Sequence, residues 1–167
     1  MKRLRIDPIV NNSDFVITLK IMQDNPNPDT QKDFINQMLH TKFLCPALFD
    51  PDPELSDDES KIASLPDDAK VMLSSLSNSK GEIYLVAYTD NQEAARHKQA
   101  ENQHAIECSY FDFCTMVLKE KSPYAGFVIN PFSENVIVTK EIIQNINKNI
   151  RIKRQVEIPR EDNRRKN

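Results

Sequence analysis

The stretch YAGFVINPFSENVIVTKEIIQNINKN, residues 124–149, decides the fold. Phe127, Val128 and Ile129 leave no polar position on either face, and neither do Val136, Ile137 and Val138, so each run reads as a strand covered on both sides. Pro131 cannot donate to a ladder and should hold Asn130 in extended backbone, so the first strand is expected to stop there. Ser133, Glu134 and Asn135 then turn the chain, and Glu134, lying in a turn, is expected to tolerate replacement by Lys. A helix opens at Thr139 as N-cap, with Glu141 at its positive end and Ile142, Ile143, Ile146 and Ile150 on one buried stripe. This unit carries a core and no catalytic signature.

Upstream, Phe15, Val16, Leu19 and Met22 recur at helical spacing behind Asn12 or Ser13, which predicts a helix over about residues 13–23. Pro26 and Pro28 end it, and Thr30 with Asp33 has the spacing of a capping box for a second helix bearing Phe34, Ile35, Met38 and Leu39. The two make an αα-hairpin whose apolar stripe must be buried against a sheet. The run FLCPALF at 43–49 reads as a strand, made peripheral by Pro46. Residues 50–68 hold eight acidic side chains against one Lys, net −7, and read as a loop insertion.

Residues 70–76 and 82–88 flank a turn-rich SNSKG and predict a β-hairpin, with 83–88 as the central strand of the sheet. Asp90 and Glu93 have capping-box spacing for a helix towards Gln99. A short strand at 105–109 and an apolar helix from Tyr110, ending near Lys121-Ser122-Pro123, complete the order. Residues 151–167 hold seven basic and three acidic side chains, net +4, opposite in sign to the acidic loop. Pairing of the two segments within a chain would fold the tail over the loop, and between chains it would favour a homodimer.

The chain is long enough, at 167 residues, for one domain with a core that needs no disulfide or metal. A net charge of −3 argues against a general nucleic-acid binder, and no apolar run reaches the length of a membrane span. Three cysteines without a C-x-x-C pair fit reduced thiols, and MKRLRIDPIVNN lacks the apolar middle of a secretory signal, so the cytoplasm is the expected compartment.

Taken together, LVAYTDNQEA at 85–94 and AGFVINPFSENVIVTKEII at 125–143 resemble the N-terminal domain of the SseB family, the enhanced serine sensitivity proteins. The family's order, an αα-hairpin, a strand near a Pro, a hairpin running into a Thr-Asp helix start and an Asn-Pro hairpin, is met by Phe34 to Met38, Pro46, Tyr88-Thr89-Asp90 and Asn130-Pro131-Phe132. The resemblance covers about residues 12–149, with residues 1–11 as an N-terminal segment, 50–69 as an acidic insertion and 150–167 as a basic tail. Ala87-Tyr88 stands where the family pattern has Val-Phe. The resemblance implies a fold and no reaction, cofactor or catalytic residue.

Sharper chemistries fail on spacing. The acidic segment starts like a calcium loop, but its sixth position is Leu55 and its twelfth Lys61, where Gly and Glu are needed. His97 and His104 are seven apart without a zinc-ligand spacing, and Cys108 and Cys114 lie in apolar surroundings that suppress a thiolate. With Gly81 and Gly126 the only glycines, no phosphate loop exists. No metal, cofactor or catalytic residue is therefore expected. The sequence predicts a single α+β domain, a mixed sheet of about five strands with packed helices, acting as a non-catalytic binding or adaptor module for a protein partner. Asn130-Pro131-Phe132 is the candidate recognition tip, although aromatics near strand ends are usually folded back on the core. The alternative is a small-ligand or enzyme site near Tyr84, Tyr88, Asp90 and Asn130, at the ends of central strands.

Overall fold

The computed structural model describes residues 1–58, 61–97 and 103–157, with side chains of the last helix through Arg151. Strand β1 (Lys2–Arg5) leads into helices α1 (Ser13–Asp24) and α2 (Pro28–His40), the expected αα-hairpin. The cap of α2 differs from the Thr30 reading. Asn27 is the N-cap, its side chain accepting from the Asp29 and Thr30 N–H groups, and Thr30 Oγ1 accepts from the Asn27 N–H in return. Pro28 then occupies the first turn, where its missing N–H costs nothing.

Strand β2 (Lys42–Asp50) is central where the sequence predicts an edge. It pairs antiparallel along one side with β8 (His104–Ser109) and along the other with β5 (Lys70–Leu73). Pro46 is tolerated because of where its missing N–H points. Leu44 exchanges both backbone bonds with Tyr88 at 2.9 Å, and residues two apart face the same side, so Pro46 faces the point where Tyr88 ends and β5 begins. Its carbonyl accepts there from Ser74 N–H at 2.8 Å.

At Ser74 the strand predicted over 70–76 bends, and β6 (Ser75–Ser77) pairs instead with β7 (Ile83–Ala87). After α3 (Asn91–Ala95), β8 and α4 (Tyr110–Leu118), the chain returns as β9 (Tyr124–Ile129), parallel to β7. Strand β10 (Val136–Thr139) pairs antiparallel with β9, and α5 (Lys140–Glu157) follows. The orders are β10-β9-β7-β6 and β5-β2-β8, joined at the Leu44–Tyr88 bridge. The acidic segment is not the loop insertion expected of it: β3 (Glu54–Leu55) and β4 (Ile62–Leu65) form a third small sheet with β1, in the order β1-β4-β3. The single α+β domain thus stands, with more strands than the five expected. Among the described residues no helix is long and apolar enough to cross a membrane.

Alternation along the strands separates two cores. Phe43, Cys45, Leu85, Ala87, Phe127 and Ile129 face the helices, where they meet Phe15 and Leu19 of α1, Met38 of α2, Phe113 of α4 and Ile143 of α5. The Phe113 and Phe127 rings stack at 4.5 Å, and burial of each contributes roughly 2–3 kcal/mol. The opposite face carries Leu44, Tyr84, Val86, Tyr88 and Val128 against Ala94 of α3 and Val10.

Two bounds move. Helix α5 continues through the first part of the predicted basic tail, capped at its start by Thr139 Oγ1, which accepts from Ile142 N–H at 3.2 Å. Helix α3 stops at Ala95, short of Gln99, which lies outside the described residues together with the tail beyond residue 157. The proposed pairing of acidic loop and basic tail falls largely on those residues.

Candidate functional site

Strands β7 and β9 run side by side and end together, and the two segments that follow them are tied into one polar network. Its centre is Asn130, with φ +46°, a left-handed conformation in place of the extended backbone expected before Pro131. Asn is the side chain that tolerates this region best after Gly, and here further bonds hold it. Its N–H extends the parallel ladder to Ala87 O at 3.0 Å, and its carbonyl accepts from Ser133 and Asn135 at 3.0 and 2.9 Å, closing the turn.

The Asn130 side chain is fully buried. Its Oδ1 accepts from Thr89 N–H at 3.0 Å, and Nδ2 donates to Thr89 Oγ1 at 2.8 Å and Glu134 Oε2 at 3.0 Å. Thr89, also fully buried, donates its hydroxyl hydrogen bond to Asp90 Oδ2 at 3.1 Å, while Asp90 Oδ1 caps α3 by accepting from Glu93 N–H at 2.9 Å. Asn12 closes the far side, with Nδ2 donating to Thr89 O at 2.8 Å and Lys42 O at 2.7 Å. That duty explains why Asn12 makes no side-chain cap on α1.

Ser133 Oγ lies 2.5 Å from Glu134 Oε2 and 2.8 Å from Glu93 Oε2. With one proton to give, it serves the nearer carboxylate, and Glu93 retains Arg96 at 3.9 Å. Burial would raise the Glu134 carboxyl, but bonds donated by Ser133, its own backbone and Asn130, with the charge of Lys20, outweigh it and lower the pKa. Glu134→Lys is therefore not the neutral change its turn position suggests, since an ammonium would face the Asn130 Nδ2 donor. A depressed carboxylate contributes stability above its unfolded pKa that is lost as pH falls through the folded value. The melting temperature of Glu134→Gln should thus lie below wild type at neutral pH, and the offset should shrink at acid pH as the carboxylate is protonated through its lowered folded pKa. Parallel thermal melts at neutral and acid pH check this, and an offset undiminished in acid would contradict it.

Phe132 stands at the tip, 49% exposed, so it does not fold back on the core as aromatics near strand ends usually do. Arg96 Nη1 donates to its carbonyl at 3.3 Å, and Gln23 of α1 donates to Glu134 O at 2.8 Å, so the turn is braced from two helices.

Of the six residues singled out in the sequence, Asp90, Asn130, Pro131 and Phe132 come together here. Tyr84 and Tyr88 do not join them, because both point to the α3 face of the sheet. Tyr84 OH donates to Glu82 Oε2 at 3.2 Å near the other end of β7. Tyr88 OH lies 2.7 Å from His97 Nδ1. Burial lowers the His97 pKa and, with the charge of Glu93, raises that of Tyr88, so a neutral imidazole accepts from a protonated phenol. Cys45 and Cys114 are pushed up by burial, which disfavours their thiolates. Among the described residues, every buried side-chain polar atom has a partner, and no group of three or more His, Cys, Asp or Glu could hold a metal ion.

Nothing in the sequence alone marks Thr89, Glu93, Ser133, Glu134, Asn12, Gln23 and Arg96 as site residues. The Asp90/Glu93 spacing and the turn at 133–135 carried a local signal, whereas Asn12 and Gln23 arrive from α1 and its lead-in, over 70 residues away from Thr89 and over 100 from Glu134.

Comparison with the curated proteins and with the solved structures finds no match. The family profile described as SseB protein N-terminal domain matches residues 18–144, from within α1 through α2, the central strands and the Asn130 turn. With most of its length inside that match, the chain belongs to the SseB N-terminal domain family.

Proposed function

We propose that this domain is a non-catalytic binding or adaptor module, working in the cytoplasm, that engages a protein partner through the Asn130-Pro131-Phe132 turn. One observation carries the reading: a half-exposed phenylalanine sits on a turn whose backbone is fixed by a buried asparagine. A pre-ordered aromatic binds with little loss of conformational freedom, which makes it a good anchor. The network beneath the turn supports the same reading, because Asn130 and Thr89 spend their polar groups on each other rather than on a ligand. The buried free cysteines accord with a reducing compartment.

Phe132→Asp tests it. Since the ring is half in solvent, the variant should melt within a few degrees of wild type. Partner affinity should fall at least about thirtyfold, the size of a hot-spot loss of about 2 kcal/mol. The measurement is quantitative affinity capture from native cytoplasm with both proteins, followed by titration of the captured partner. A partner retained equally by both would remove the turn from the interface.

A further inference from the structure

The sheet forks at Ser74, away from the Asn130 turn. From there β5 follows β2 and β6 follows β7, and each is the last strand of its sheet. Ser74 N–H bonds Pro46 O, and orientation alternates along a strand, so Lys70 and Met72 aim their backbone groups at β2. Val71 and Leu73 therefore aim theirs outward. Among the described residues no hydrogen bond reaches those two N–H and two C=O groups.

Beside this edge lies a groove of about 490 Å³, bounded by Val71 and Leu73 on one side and by Met116, Lys119, Lys121 and Tyr124 on the other. Val71 and Met72 are 42% and 55% exposed, apolar at positions where a protected edge carries charge. On the α4 side the rim is basic, with Lys119 and Lys121 flanking a single Glu120.

We propose that the β5 edge receives an extended segment of a partner protein as an added strand, apolar where its alternate side chains enter the groove and acidic in its flanks. Main-chain bonds to Val71 and Leu73 supply affinity, and the apolar floor and lysine rim supply selection. Charge disfavours symmetric pairing of two β5 edges, since a second copy would bring its own Lys119 and Lys121 to the same rim. This surface is separate from the Phe132 tip, so the two readings fail independently.

The test uses the full chain, labelled with ¹⁵N, and two synthetic octapeptides, acetyl-EDVTVTDE and its counterpart with every Glu and Asp replaced by Lys. The acidic peptide should shift the Val71 and Leu73 amides and saturate in roughly the hundred-micromolar range, while the basic one should not. Val71→Pro deletes an outward N–H without touching the β2 ladder and should weaken binding at least about tenfold, whereas Val71→Ala, which keeps the N–H, should weaken it less. Lys119→Glu with Lys121→Glu, both exposed and outside the sheet, should reverse the preference between the peptides even if Val71→Pro fails to fold. Phe132→Asp should leave the titration unchanged. The proposal is overturned by no shift at about 2 mM peptide, by equal binding of a folded Val71→Pro variant, or by unchanged preference after charge reversal. Shifts of the same amides with protein concentration alone would overturn it in favour of a second copy of the chain.

Discussion

Gly126→Ala is expected to cost at least about 4 kcal/mol, enough to unfold most of the protein at ordinary temperature. A Cβ built on Gly126 would stand 2.1 Å from Val138 O and 2.9 Å from Thr139 Cα, both backbone atoms of β10. Neither can swing aside as a side-chain tip would, because Val138 and Thr139 are paired with Phe127 and Gly126 themselves. The backbone adds to this: φ is +157°, at the margin of the region L side chains rarely adopt. The cause is a register slip. Ile83 pairs with Tyr124 but Tyr84 pairs with Gly126, so Ala125 is an extra residue, and the bulge presses the next residue against β10. Relief would require β10 to lift from β9, which would expose Val138 and tilt α5 off the core. Denaturant melts and far-UV circular dichroism measure the effect. A Gly126→Ala protein melting within a few degrees of wild type would mean that β9 and β10 are not paired in this register. Gly81→Ala is the control: its φ of +79° is also strained, but no atom lies within 4 Å of its Cβ, so a far smaller loss is expected.

Much of the frame was legible because it rests on local signals. The run 127–129 declares a buried strand, and α1 and α4 follow from periodicity within a few residues. The run 136–138 reads the same way but forms the edge strand β10 with Ile137 exposed, and α5 starts where Thr139 predicts yet runs on into the expected tail. What escaped depends on partners distant in sequence. Pro46 reads as an edge marker, and only the fork at Ser74 explains why a central strand accepts it. The acidic stretch reads as loop because two- and four-residue strands become strands only when β4 pairs with β3 on one side and the distant β1 on the other. At the candidate site, the Asn-Pro turn is visible as a motif. The left-handed Asn130, however, overrides the local preference of a residue before proline because six hydrogen bonds formed by its backbone and side chain outweigh it. Tyr84 and Tyr88 were grouped with it by nearness along the strand, whereas strand alternation sends them to the opposite face from Leu85 and Ala87.

Asn130→Asp, which changes one NH₂ to an oxygen, is expected to destabilise by about 3–5 kcal/mol at neutral pH, and Glu134→Gln in the same chain should recover part of that loss. The substitution preserves shape and tolerance of positive φ, so the backbone contribution is nearly constant. The carbonyl half of the new side chain still accepts from Thr89 N–H. The other half places an oxygen 3.0 Å from Glu134 Oε2, where a donor stood. Two carboxylate oxygens at that distance repel by roughly 5 kcal/mol at an effective dielectric of about 20, before either relaxes or takes up a proton. Thr89 can turn its hydroxyl to the new oxygen only by releasing Asp90, so no rearrangement within the network satisfies everything. Glu134→Gln removes one charge and restores a donor, which predicts a favourable coupling of at least about 1 kcal/mol in a double-mutant cycle. Asn130→Gly and Asn130→Ala divide the remainder. Glycine accepts φ +46° and isolates the lost side-chain bonds, and alanine adds about 1 kcal/mol of left-handed strain. Because the Asn130→Asp penalty requires both carboxylates to be ionised, it should shrink on acidification, and at higher pH than the Glu134→Gln offset does, since repulsion raises the pKa of the pair whereas the Glu134 carboxyl beside Asn130 is lowered. Denaturant titrations of the four proteins at neutral and acid pH provide the cycle. A coupling under about 0.5 kcal/mol would show that Asn130 and Glu134 do not act on each other in solution, and the turn bearing Phe132 would lose the anchor that fixes it.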